Sequence, residues 1–136
     1  MIINTIKNIL EASNYISNVN IDYTENTIGN FGLYNSGNAL VGESITGIKK
    51  YRSNYVLYFC SNSEDDLNRI NNSNLIDNIC DYLSKQENIE ITEDGNTIGV
   101  ISSFVCSNGM VFNVPGSIYE GYTYQIQIQV TYKIFP

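Results

Sequence analysis

The chain has 136 residues, with 14 Asp and Glu against 7 Lys and Arg, no histidine and a net charge of −7. That length fits one domain able to bury roughly two thirds of its unfolded surface, and 43% hydrophobic against 15% charged residues argues for a folded globule. The acidic balance disfavours sequence-independent nucleic-acid binding, and the absence of histidine removes Ser-His-Asp and Cys-His nucleophile pairs and every histidine-containing metal site.

Residues 2 to 16 read as an amphipathic helix, because Ile2, Ile6, Ile9, Leu10 and Ile16 fall on one stripe while Lys7, Asn8 and Glu11 lie away from it. The segment is too short and too polar to span a bilayer and has no cleavage-site pattern. Val19, Ile21 and Tyr23 then alternate, as in a strand over 18–24. Residues 25 to 47 hold five glycines among Asn, Ser and Thr. A connection of that length is an interaction arm or a surface excursion, with short strands near 28–34 and 45–49. The basic run Lys49 to Arg52 fits a solvated strand entry.

The run Tyr55 to Cys60 is nearly continuous in apolar residues, which predicts a central strand over 51–61. Ser61 or Ser63 with Glu64 or Asp66 gives helix-start chemistry. The helix that follows sends Leu67, Ile70, Ile76, Ile79, Cys80 and Leu83 to the core and ends near Gln86. Asn71 to Asn74 interrupt its stripe, which points to a helix that begins in earnest only there. Asp94-Gly95 between two alternating runs signals a hairpin. Asn108-Gly109 and Pro115-Gly116 mark further turns around a strand at 110–114. The expected fold is a single α+β domain, a mostly antiparallel sheet with two helices packed on one face.

Chemistry is hard to place. Cys60, Cys80 and Cys106 lie in no CxxC pair and read as buried, unpaired, reduced thiols. "SEDD", Ser63 to Asp66, turns apolar too soon for a calcium loop. Glu93, Asp94 and Glu120 sit at turns, with nothing to place two carboxylates in one pocket. No phosphate-binding glycine motif occurs. The expectation is therefore no enzyme, no catalytic residue, no metal and no cofactor.

The terminal stretch "YTYQIQIQVTYKIF" alternates from Tyr122 to Phe135. Tyr122, Tyr124, Ile126, Ile128, Val130, Tyr132 and Ile134 share a core face. Thr123, Gln125, Gln127, Gln129, Thr131 and Lys133 share a polar face with one charge. A strand of roughly 45 Å would project past the core or bend at a bulge. Neutral amides desolvate far more cheaply than charges, which suits a face covered by another subunit. A plain solvent face with a compositional bias fits as well.

Six segments in order, "GNFGLY", "ITGIKKYRSN", "YVLYFCS", "NNSNLIDNICDYLSKQ", "SNGMVF" and "YQIQIQVTY", resemble the tail terminator or tail completion proteins of Gram-positive phages and phage tail-like particles, often labelled minor capsid protein. Tyr82 stands where relatives carry Trp. The resemblance implies a homo-oligomeric ring, generally a hexamer, on the last ring of the tail tube. Its implied partners are further copies of itself, the tube protein, the sheath where the tail contracts, and the neck or head connector. It implies no membrane, no specific nucleic acid and no cofactor. The implied location is the bacterial host cytoplasm during assembly, then the particle. The expected interface residues are Gln125, Gln127, Gln129, Thr131 and Lys133 on the last strand, with Phe31, Leu33, Tyr34 and Leu40 on the arm. A head-completion or connector protein of the same particle is the alternative, and a small-ligand binding module a weaker one.

Overall fold

The computed structural model describes residues 2–13, 15–16, 19–21, 31–61, 66–107, 110–113 and 122–136, with 60–61, 66–70, 72, 110–113 and 122–123 described by their backbone alone. Along the chain come α1 (Ile2–Glu11), β1 (Val19–Ile21), β2 (Phe31–Glu43), β3 (Lys49–Ser61), α2 (Asp66–Ser84), β4 (Ile89–Glu93), β5 (Asn96–Cys106), β6 (Met110–Asn113) and β7 (Tyr122–Ile134). The fold is α+β. Strand order in the sheet is β1-β2-β3-β7-β5-β4, with β6 also on β7. Only the short β1–β2 pair is parallel.

The apolar run in β3 and the alternation in β7 explain the middle of this sheet. The two strands pair antiparallel over thirteen residues, from Lys49 opposite Ile134 to Ser61 opposite Tyr122, with no register shift. The last strand therefore neither projects past the core nor bends at a bulge against β3. It lies inside the sheet, flanked by β3 on one side and by β5 and β6 on the other. Its length is supported by pairing on both edges.

One face of the sheet is apolar. Leu33, Tyr55, Leu57, Phe59, Ile101, Ile126, Ile128 and Val130 are buried there, together with Ile6, Ile9 and Leu10 of α1 and Ile76, Ile79 and Leu83 of α2. Each such aliphatic side chain contributes about 1.5–3 kcal/mol on burial. Phe59 stacks between Phe31 and Tyr124 at 5.3 Å from each, and the Tyr82 hydroxyl donates to the Ile9 carbonyl at 2.9 Å, tying α2 to α1.

The helices differ in detail from the sequence pattern. α1 ends at Glu11 rather than running to residue 16, because the Ser13 hydroxyl takes the Leu10 carbonyl at 2.6 Å and turns the chain. Ile16 reaches the core from beyond that turn. α2 starts at Asp66, and Asn71, Ser73 and Asn74 lie within it, so the polar run does not delay it. The expected cap at Ser63 and Glu64, the turns at Asn108-Gly109 and Pro115-Gly116, and Tyr23 and Glu120 lie outside the described residues. The Asp94-Gly95 hairpin is present, both residues at positive φ (51° and 81°), as a tight two-residue turn requires.

The glycine-rich segment departs most from its reading. From Phe31 to Glu43 it is a strand, the first arm of a hairpin with β3, and 44–48 is the connecting turn rather than a second strand. Register shifts at Asn35/Gly37 and Leu40/Gly42 break its alternation. Gly37 sits at φ 153°, with its amide donating to the Asn35 side chain at 2.9 Å. Residues 35 to 41 are all exposed. This stretch is held by pairing to β3 and not by burial of its own.

Candidate interface

The face of the sheet opposite the helices follows directly from the register. Gln125 of β7 lies opposite Tyr58 of β3, Gln127 opposite Val56, Gln129 opposite Asn54, Thr131 opposite Arg52 and Lys133 opposite Lys50. On the far side, Val105 of β5 lies opposite Gln129 and Ser103 opposite Thr131. Tyr34 of β2 lies opposite Val56 and meets Tyr58 edge-on at 5.3 Å. No described helix packs on this face. Gln127, Lys133 and Val105 are exposed, and Gln125, Gln129 and Thr131 are half-buried by their neighbours.

A shallow groove of about 490 Å³ crosses the middle of this surface, lined by Ser36, Asn54, Val56, Val105, Ser107, Gln127 and Gln129 among others. Apart from the inward-pointing Tyr55, its lining holds no ionisable side chain. Charge collects at one end instead. Lys50, Arg52 and Lys133 are three of the chain's seven basic residues, all exposed, and neither they nor Lys49, which alternates onto the other face opposite Ile134, make an ion pair among the described residues. Lys50 and Lys133 even face each other across a strand pair, where like charges cost stability. The basic run is thus an exposed strand, as its sequence suggested, and it gains Lys133 from β7.

Of the nine expected interface residues, seven lie on the surface of the subunit. Two do not. Phe31 is only 8% exposed and Leu33 is wholly buried. Both belong to the subunit's own core, because they precede the first bulge of β2, where inner-face alternation still holds. Leu40, at 54% exposed, lies beyond that bulge on the outlying half of β2. The sequence reading missed Val56, Val105 and Asn54. Val56 lies in the continuous apolar run of β3, which gives no hint of which residues face outward, and Asn54 just precedes that run.

The thiols also depart from expectation. Cys80 and Cys106 are neither deeply buried nor apart: both are half-buried, with their sulfurs 2.7 Å from each other. The Cys60 side chain lies outside the described set. Glu93 and Asp94 are exposed at the β4–β5 turn. Among the described residues no group of three His, Cys, Asp or Glu is placed to hold a metal, and no described helix is long and apolar enough to cross a membrane. A comparison with protein-family models gives no match, and one with curated proteins gives none that is significant.

Proposed function

We propose that the chain is a ring-forming structural subunit of a phage tail or tail-like particle, capping the tail tube and ending its growth, and that it joins its neighbours through the outer face of its sheet. One observation carries this reading. The centre of that face, Val56, Val105, Gln127 and Gln129, is uncharged, whereas Lys50, Arg52 and Lys133 lie at one margin. Protein interfaces have this layout, with charge depleted at the centre and retained at the rim. Glutamines there donate and accept hydrogen bonds at a desolvation cost well below that of Lys or Glu. The unpaired basic margin fits the acidic surface of a further copy, since the chain as a whole carries −7. The resemblance in six ordered segments supplies the particle and the ring. The tube protein, the sheath where one exists and the neck connector are the further partners in this reading.

Native mass spectrometry of the purified chain across salt concentration tests it. A closed ring that dissociates as salt rises is the expected result, because rim charge pairs are screened. A monomer at every concentration and salt condition overturns it. Gln127→Glu places an unpaired charge at the centre of the face and should abolish the ring while leaving the subunit folded.

A further inference from the structure

We propose that Cys80 and Cys106 form a dithiol site that low-molecular-weight disulfides oxidise to an intramolecular bridge, stapling α2 to β5. The two sulfurs already lie 2.7 Å apart, so bond formation needs them to approach by less than about 1 Å, to the usual ~2.05 Å. Among the described residues the competing contact is the Ser107 carbonyl, at 3.7 Å from Cys80 and 4.0 Å from Cys106. Both residues are half-buried rather than sealed in the core, so a small reagent has access.

The two sulfurs are also within hydrogen-bond distance of each other. The hydrogen bond between the two sulfurs holds Cys80 below the ordinary thiol range against the opposing effects of burial and of Asp77. The same hydrogen bond, with burial, pushes Cys106 up. Cys80 attacks first and Cys106 resolves, and the reverse order gives the same bridge.

The chemistry balances as two exchanges. The Cys80 thiolate attacks one sulfur of the small disulfide. A new S–S bond forms, the old one breaks, and the first small thiolate leaves and takes up a proton. Cys106 then gives up its proton and attacks the Cys80 sulfur. The Cys80–Cys106 bond forms, and the second small thiolate leaves and is protonated. Two protein thiols are oxidised and one small disulfide is reduced to two thiols.

The consequence is local. Cys106 ends β5, next to Val105 and Ser107 on the margin of the uncharged groove. A bridge there fixes that margin to the helix layer, independently of whether the groove serves a ring.

The test is incubation of the native protein with oxidised glutathione, followed by thiol counting after denaturation and peptide mapping. The expected result is a fall from three thiols to one, loss of two hydrogens from the intact mass, and a Cys80–Cys106 linkage within one chain. The thermal midpoint should rise by roughly 10 °C, since the bridge closes a loop of a few tens of residues. A Cys60→Ser variant should still lose two thiols, whereas Cys80→Ser and Cys106→Ser should form no internal bridge. Retention of all three thiols, a bridge to Cys60 or to another chain, or a lowered midpoint on bridging overturns the proposal.

Discussion

The two faces of β7 pass through the same residues of backbone and meet opposite environments. On the inner face Ile126, Ile128 and Val130 are at most 1% exposed. On the outer face Gln127 is exposed and its neighbours only half-covered, by side chains of their own sheet. The inner face is explained by the subunit: remove it and the layer of helices has nothing to pack against. The outer face is not explained that way, because Lys or Glu would serve a solvent face of this subunit equally well. Substitutions on the two sides should therefore report on different equilibria, folding for one and assembly for the other.

The largest effect is expected from Ile126→Ala. It leaves a cavity at a fully buried position of the core and should lower stability by about 3 kcal/mol in denaturant titration. A loss below about 1 kcal/mol would mean that the inner face is not the core. Gly99→Ala comes next. A Cβ there would collide with the Lys133 carbonyl, which belongs to the strand pair itself. The strands must part or shift register, at about 2 kcal/mol.

A smaller effect of the opposite sign is expected at Tyr55, also on the inner face. Its buried hydroxyl has no hydrogen-bond partner among the described residues, while Ser53 donates to Tyr132 at 3.2 Å. Tyr55→Phe should be neutral or stabilise by up to about 1 kcal/mol. Burial raises the Tyr55 pKa from 10.0 to about 12, with Tyr132 adding to the rise; the nearby Ser53 hydroxyl, engaged with Tyr132, is too poorly placed for a hydrogen bond to Tyr55 that would cancel it. A raised folded pKa means that the unfolded chain gives up its proton first. The contribution to stability is full below pH 10 and is lost as pH climbs from 10 towards 12. The Phe variant should show a shallower alkaline decline over that window. An identical decline in both proteins would remove Tyr55 as its cause.

The smallest effect on the folded subunit belongs to the outer face. Gln127→Glu should change subunit stability by less than about 0.5 kcal/mol, in contrast to the loss of assembly expected under the proposed function. Normal rings from a chain carrying Glu at 125, 127 and 129 together would end the contrast between the faces.

The inner face was the legible part. Its alternation in β7, its apolar run in β3 and the Asp94-Gly95 turn each carry a local signal that burial or backbone geometry enforces. The interior place of β7 was not legible, since alternation says which residues face inward and nothing about which strands flank them. The outlying half of β2 was missed for a related reason. Asn35 to Glu43 has the composition of a loop and becomes a strand only because β3 lies beside it. On the candidate interface, the glutamine row was legible and the residues opposite it were not. Val56 is one apolar residue in a run of six, and only the register shows it facing out. The cysteine pair joins a helix to a strand 26 positions on, a separation at which no spacing rule operates.

The position of β7 also bears on how the chain reaches its fold. Ser53 and Tyr132, bonded across the β3–β7 pair, are 79 positions apart, and β5 pairs with β7 rather than with β3. Until β7 is in place, β3 and β5 each keep an open edge and the sheet is two separate pieces. Closing it demands long-range loop closure before any pairing is rewarded, which sets a slow folding step. During synthesis β7 emerges after every other strand described here. The nascent chain thus holds two unpaired apolar strand edges until β7 is made, the condition under which edge-to-edge aggregation competes with folding.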